Sequence, residues 1–246
     1  MLFFVSSARL WATDYFVYLG VSSNLNKPLG MMKISLFIRI VFCSTLFACG
    51  DNNNDDLIIF FLHNRFLETH ELNESHPEFG QTAYKEILVK FEKGGLKVIS
   101  EKRNGNVNAR EYALRIVNQI DSLILDGVKP EKITIVGTSK GGYIAQYVST
   151  LANNPKLNYV FIASFRNRDL ENIPGINYCG NILTIYEKTD PFGVSAVGRI
   201  ENSTCTIEHF KEIELNTGMG HGFIFKPLKE WIEPTVKWAN GNYELE

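Results

Sequence analysis

The chain has almost no charge imbalance: its 246 residues sum to a formal net charge of −2. No long basic stripe compensates locally, so the electrostatic footprint of a nucleic-acid binder is missing. No G-x-G-x-x-G follows the first strand-like run, which argues against a dinucleotide-dependent dehydrogenase. Phosphate-binding glycine loops, internal repeats, heptad runs and clusters of His, Cys, Asp and Glu at metal-ligand spacing are missing as well. Neither a cofactor nor a metal is therefore expected, and a small molecule is the partner that fits. Cysteine is scarce, with four in all: Cys43, Cys49, Cys179 and Cys205. The last two lie far down the chain, where a disulfide is permitted if the protein is exported.

What is present is the composition of one ordinary globular domain, 45% hydrophobic and 21% charged, long enough to bury a sizeable core. The first fifty residues differ from the rest. From Met32 the chain reads MKISLFIRIVFCSTLFACGDNNNDD, with Lys33 at the front and an apolar stretch interrupted by Arg39. That stretch is too short for a comfortable transmembrane helix. It resembles a bacterial lipoprotein signal peptide over residues 32–49. The resemblance implies that Leu46-Phe47-Ala48-Cys49 is a lipobox and that Cys49 becomes the acylated N-terminus. Phe47 and Arg39 depart from the usual pattern. GDNNNDD, within residues 50–56, reads as a flexible tether, since nothing in it can be buried. Residues 1–31 are then an extension that is discarded or precedes the true start at Met31 or Met32. The expected location is the cell envelope, with membrane contact through a lipid anchor only. If the signal segment is unused, the location is cytoplasmic.

From residue 57 to 246 the chain alternates strand and helix signals. LIIFFL (57–62) is a buried strand, followed by a long loop to about Gly80. QTAYKEILVKFEKGG (81–95) is an amphipathic helix with a Gly94-Gly95 stop, LKVIS (96–100) a strand, and AREYALRIVNQIDSLILDGVKP (109–130) a helix ended by Gly127 and Pro130. Further strands follow at KITIVG, NYVFIAS (158–164), NILTIYE (181–187) and FKEIEL (210–215). A C-terminal helix, opened by Pro227, runs through LKEWIEPTVKWAN. This alternation predicts an α/β fold, a three-layer α/β/α sandwich around a mostly parallel sheet. Chemistry in such sheets gathers beyond the carboxyl ends of the strands.

At one of those ends stands IVGTSKGGYIA, residues 135–145, which contains the G-x-S-x-G string Gly137-Thr138-Ser139-Lys140-Gly141. The string alone is a weak signal. Its setting is stronger: a β-branched run precedes it, and helical spacing of Ile144, Tyr147, Val148 and Leu151 follows until Asn153, Asn154 and Pro155. A serine on such an elbow is a candidate nucleophile and needs a base oriented by a carboxylate. Of five histidines, His221 lies on a glycine-rich loop just after the last strand. For the carboxylate, Asp190 sits on a turn past NILTIYE, with Glu187 a nearer rival and Asp169 a third candidate.

The order Ser139, Asp190, His221 resembles that of the α/β-hydrolase family, over about residues 57 to 240. The resemblance implies a small serine hydrolase that cleaves an ester, thioester or related acyl bond through an acyl-enzyme. It also implies an oxyanion hole, with the Lys140 N–H as first donor. The second donor should come from His63-Asn64-Arg65-Phe66, where the family often has His-Gly. Arg65 N–H is preferred there and Asn64 is the alternative, with Asn64 expected to tolerate a glycine-like positive φ. The segment before NILTIYE is too short for a helical lid, so the site should be open. Glu68, Arg103, Lys140, Arg166 and Arg168 gather at strand ends, either as a solvated rim or as the wall of a pocket for a polar or anionic acyl substrate. A competing expectation is a catalytically idle hydrolase fold, kept as a binding or structural lipoprotein of the envelope.

Overall fold

A computed structural model describes residues 55–245. The signal-peptide reading, its Cys49 and most of the tether fall outside those residues. Six parallel strands form the main sheet: β1 (Leu57–Leu62), β4 (Leu96–Ile99), β5 (Ile133–Thr138), β6 (Asn158–Ile162), β7 (Asn181–Glu187) and β8 (Phe210–Leu215), in the order β4-β1-β5-β6-β7-β8. A two-residue antiparallel hairpin, β2 (Ser75–His76) with β3 (Gly80–Gln81), stands apart. Four longer helices cover the sheet: α2 (Tyr84–Lys93), α3 (Ala109–Leu125), α4 (Lys140–Ala152) and α7 (Lys229–Ala239). Three short ones, α1 (Phe66–Thr69), α5 (Asp169–Asn172) and α6 (Val197–Glu201), sit in the connections.

The period of two along each strand sorts the core onto two faces. Ile59 and Phe61 of β1 pack with Val136, Val160, Ile162 and Leu183 against α2 and α7, through Ile87, Phe91, Trp231 and Trp238. Ile58, Phe60 and Leu62 face the other way, with Ile135 and Phe161, onto Ile116 and Ile120 of α3 and Ile144 and Val148 of α4. Strands buried on both faces explain why β1, β5 and β6 read as continuous apolar runs. The result is the three-layer α/β/α sandwich expected from the sequence.

Element ends differ from the sequence reading where tertiary contacts take over. The helix expected from residue 81 begins at Tyr84, because Gln81 pairs with Ser75 in the hairpin and the Ala83 N–H donates to Phe225 O at 2.8 Å. The loop expected up to Gly80 contains α1 and that hairpin. The helix from Ala109 stops at Leu125; Gly127 takes φ 92° and Pro130 opens a 3₁₀ turn. Cys179, just before β7, is bonded to Cys205, in the connection between α6 and β8, with Cα atoms 5.1 Å apart. Among the described residues, no helix is long and apolar enough to cross a membrane.

Candidate active site

Ser139 follows β5 directly and has φ 50° and ψ −117°, a region that non-glycine residues rarely occupy. The glycines around it are there for close approach. A Cβ on Gly137 would lie 2.2 Å from Gly141 O, and one on Gly141 would lie 1.9 Å from Leu62 O. Any side chain at either position would push α4 off the strands. The Ser139 N–H donates to Ile162 O at 2.9 Å, and its carbonyl accepts from Tyr143 N–H at 3.1 Å, so both sides of the strained residue are pinned.

His221 Nε2 stands 3.0 Å from Ser139 Oγ, and His221 Nδ1 stands 2.6 Å from Asp190 Oδ2. With the carboxylate on Nδ1, that nitrogen carries the proton and Nε2 accepts from the serine hydroxyl. His221 lies within a six-residue 3₁₀ helix, Gly220–Phe225, rather than on the open loop expected from the sequence. Asp190 is buried, and its other oxygen accepts the Phe192 N–H at 2.8 Å.

The two rival carboxylates are engaged elsewhere. Glu187, at the end of β7, accepts from Thr217 N–H and Oγ–H at 2.9 Å each, from Thr189 Oγ–H at 3.2 Å and from Gly218 N–H at 3.4 Å. Desolvation works to raise its pKa, but these hydrogen bonds outweigh it and hold the carboxyl below the usual range. Glu187 thereby fixes the segment that leads into His221. Asp169 accepts from the Tyr143 hydroxyl and from Arg166 N–H, away from the imidazole.

Beyond β1, His63 and Asn64 are buried while Arg65 is exposed. Asn64 does not adopt the positive φ expected of a glycine substitute; among described non-glycine residues only Ser139, Asn153 and Ala163 do. Its side-chain oxygen instead accepts the Leu67 N–H at 3.4 Å and steadies the first turn of α1. The loop turns without the left-handed residue because a helix start replaces it. No acceptor takes the N–H of Lys140, Arg65 or Asn64 among the described residues, so all three expected donors remain open.

Two of the five charged residues expected at the rim are interior, and a third, Lys140, is half-buried beside them. Glu68 and Arg103 are each 2% exposed. Glu68 pairs with Arg103 Nε at 2.9 Å and with Lys140 Nζ at 2.5 Å, while Lys140 also donates to Asn106 at 3.0 Å. Arg103 in turn donates its backbone N–H to His63 Nε2 at 2.7 Å and its guanidinium to His63 O. His63 Nδ1 donates to Asn64 O at 2.7 Å, so the ring is held neutral with its proton on Nδ1. Burial, with the nearby charge of Arg103, lowers its pKa from 6.5 to about 3. Sequence reading placed Glu68, Arg103 and Lys140 at the strand ends but missed their burial, their pairing and the part of His63, since these residues come from different stretches of the chain.

A cavity of about 410 Å³ reaches Ser139 and His221 and is walled by Phe66, Phe79, Phe225 and Pro77. Two imidazoles extend that aromatic wall: His70 stacks on Phe66 at 4.0 Å and His76 on Phe79 at 4.5 Å. Only the four-residue α5 stands between β6 and β7, so no helical lid covers the site from there.

No family profile matches the sequence, and no curated protein is similar to it at the sequence level. Solved structures are similar in fold. The thermophilic, thermostable carboxylesterase EstE1, cloned from a metagenomic library, aligns over 77% of this chain and 81% of its own, with TM-score 0.52 and 14% identity. An arylesterase aligns over 76% of this chain and 75% of its own, with TM-score 0.50 and 13% identity. The chain therefore has the α/β-hydrolase fold.

Proposed function

We propose that this protein is a serine hydrolase that cleaves an ester, thioester or related acyl bond. One observation carries the reading: Asp190, His221 and Ser139 form a continuous hydrogen-bonded chain that ends on a strained elbow serine. The similarity in fold to a carboxylesterase and an arylesterase supports the same class.

In this mechanism Ser139 Oγ attacks the substrate carbonyl as its proton passes to His221 Nε2. Asp190 stabilises the imidazolium through Nδ1–H and keeps the ring aimed. The developing oxyanion takes the Lys140 N–H, where α4 begins and its dipole is favourable, and a second N–H from Arg65 or Asn64. Each such donor typically contributes on the order of 10²-fold or more in turnover. The tetrahedral adduct collapses to an acyl-enzyme as His221 returns the proton to the leaving oxygen or sulfur. Water, deprotonated by the same imidazole, then releases the acid. The aromatic cavity beside Ser139 favours a small apolar or aryl group on one side of the scissile bond.

An idle fold gives no reason for a non-glycine residue to hold φ 50° within 3.0 Å of a carboxylate-backed imidazole. The test is hydrolysis of short p-nitrophenyl esters by the wild-type protein and by Ser139→Ala. Loss of several orders of magnitude supports the mechanism, and full activity in the variant sinks it.

The lipoprotein setting belongs to the same reading. A buried Cys179 bonded to Cys205 accords with an oxidising compartment, and acylation at Cys49 would hold the domain at a membrane surface.

A further inference from the structure

A second cavity, of about 430 Å³, lies beside the acid turn and shares no lining residue with the aromatic one. Its walls are Arg166, Asn167, Arg168, Pro191, Phe192 and Val194. We propose that this cavity is an anion subsite, which selects substrates carrying a carboxylate or phosphate at a distance from the reacting acyl carbon. The inference deepens the serine-hydrolase reading and rests on it for its kinetic consequence.

Position is the first argument. The Arg166 guanidinium lies over the Phe192 ring, 5.5 Å from its centroid, and the same ring meets the His221 imidazole edge-on at 5.2 Å. Phe192 is thus the shared wall between the two arginines and the base. It is also tied to the triad directly, since its N–H donates to Asp190. A ligand with its carbonyl at Ser139 could extend past Phe192 and place a second functional group at the guanidinium.

The state of the arginines is the second argument. Among the described residues, no carboxylate lies within ion-pair distance of Arg166 or Arg168, whereas Arg103 and Arg115 each have one. Asp169, one residue after Arg168, accepts from the Tyr143 hydroxyl and the Arg166 backbone N–H. Arg166 Nε is buried and has no hydrogen-bond partner. A partly desolvated guanidinium without an acceptor is costly, and an oxyanion received by its terminal nitrogens would offset that cost.

Preorganisation is the third. The Arg166 guanidinium lies over two rings, Tyr143 and Phe192, with centroids 5.9 Å and 5.5 Å away. Such cation–π contacts fix the plane of the fork while leaving its edge free. A fixed planar fork is the geometry that binds carboxylate or phosphate with two parallel hydrogen bonds. Arg168, exposed on the rim, adds a second positive charge that steers anions inward.

Two measurements test the subsite. The first compares kcat/KM for neutral p-nitrophenyl butyrate with that for the anionic mono-p-nitrophenyl esters of succinate, glutarate and adipate. The wild-type protein should prefer at least one hemiester by about tenfold, the ordinary worth of one charge-assisted contact. That ratio should fall to about one in Arg166→Gln and shrink in Arg168→Gln, and it should weaken with added salt. The second uses Ser139→Ala, which cannot turn over, and titrates monomethyl glutarate and inorganic phosphate calorimetrically, with and without Arg166→Gln. Saturable binding lost with Arg166 supports the subsite, and the ligand that binds identifies the anion. Binding without hydrolysis by the wild-type protein leaves the subsite standing and defeats the hydrolase reading. Hydrolysis with no preference for any hemiester, or binding unchanged by Arg166→Gln, overturns the subsite.

Discussion

Glu68 and Lys140 are 72 residues apart in the chain and 2.5 Å apart in space. Glu68 lies on α1, just past the loop that carries Asn64 and Arg65. Lys140 is the first residue of α4, next to the nucleophile. The second oxygen of Glu68 holds Arg103, which donates to the ring Nε2 and the carbonyl oxygen of His63. One carboxylate therefore ties together the two segments that supply the proposed oxyanion donors, where a glycine-built turn is missing.

Glu68→Gln should accordingly act on turnover as well as on stability. It leaves two cations short of their partner, which costs about 3–5 kcal/mol when a buried pair is broken. Among molecules that remain folded, kcat on a p-nitrophenyl ester should fall by about 10²-fold with little change in KM, because misplaced donors weaken the transition state rather than binding. A denaturation curve and steady-state kinetics measured on the same preparation check both parts. An unchanged kcat at reduced stability would assign Glu68 to the scaffold alone.

The two carboxylates near the end of β7 should separate cleanly. Asp190→Asn removes the group at 2.6 Å from His221 Nδ1 and should lower kcat by about 10⁴-fold while sparing the fold. Glu187→Gln turns one of two oxygens that between them accept four hydrogen bonds, three of them from Thr217 and Gly218, into a donor, so its main effect should be a lower melting temperature with a milder loss of turnover. Equal, mild effects on turnover from both would mean that neither orients the base.

Most of the architecture is visible in the amino acids, because the strands are buried on both faces and announce themselves as apolar runs bounded by turn residues. Ser139, Asp190 and His221 also stand out in the sequence as candidates, each following a strand and with glycine or proline within two residues. The burial of Glu68 and Arg103 and their linkage to Lys140 are not legible. A charged residue in a connection looks like a solvated one until the fold brings its partner from another connection. Asn64 shows the same limit: its residue type invited a positive φ, whereas its side chain starts a helix turn instead. Alternatives at β7 also needed three dimensions, since Glu187 and Asp190 are three residues apart and only distance to His221 separates them.

His63 gives the fold an acid sensitivity of definite sign. Its pKa falls from 6.5 to about 3 on folding, so between those values the unfolded chain takes up a proton that the folded chain refuses. Stability is complete above 6.5 and declines as pH drops through that window, by about 1.4 kcal/mol per pH unit at most for one proton. Urea unfolding measured from pH 7 to pH 4 should show this slope, and His63→Gln, which does not titrate, should flatten it. An identical slope in the variant would place the acid sensitivity on other groups.

Reduction of Cys179–Cys205 should destabilise the domain without preventing its folding. The bond closes a loop with a sequence separation of 26, for which chain entropy gives roughly 3 kcal/mol. For a domain of this size that corresponds to a fall in Tm of about 6–12 °C on treatment with dithiothreitol. No shift on verified reduction would mean that the bond does not constrain the unfolded chain.

The central claim is that Ser139 is a nucleophile activated by His221, and covalent labelling with a serine-directed fluorophosphonate tests it most directly. The wild-type protein should gain the mass of one phosphonyl group, mapped by peptide analysis to Ser139. His221→Ala should label far more slowly, and Ser139→Ala should not label at all. Absence of labelling in the folded wild-type protein, or labelling that persists in Ser139→Ala at the wild-type rate, would contradict the account.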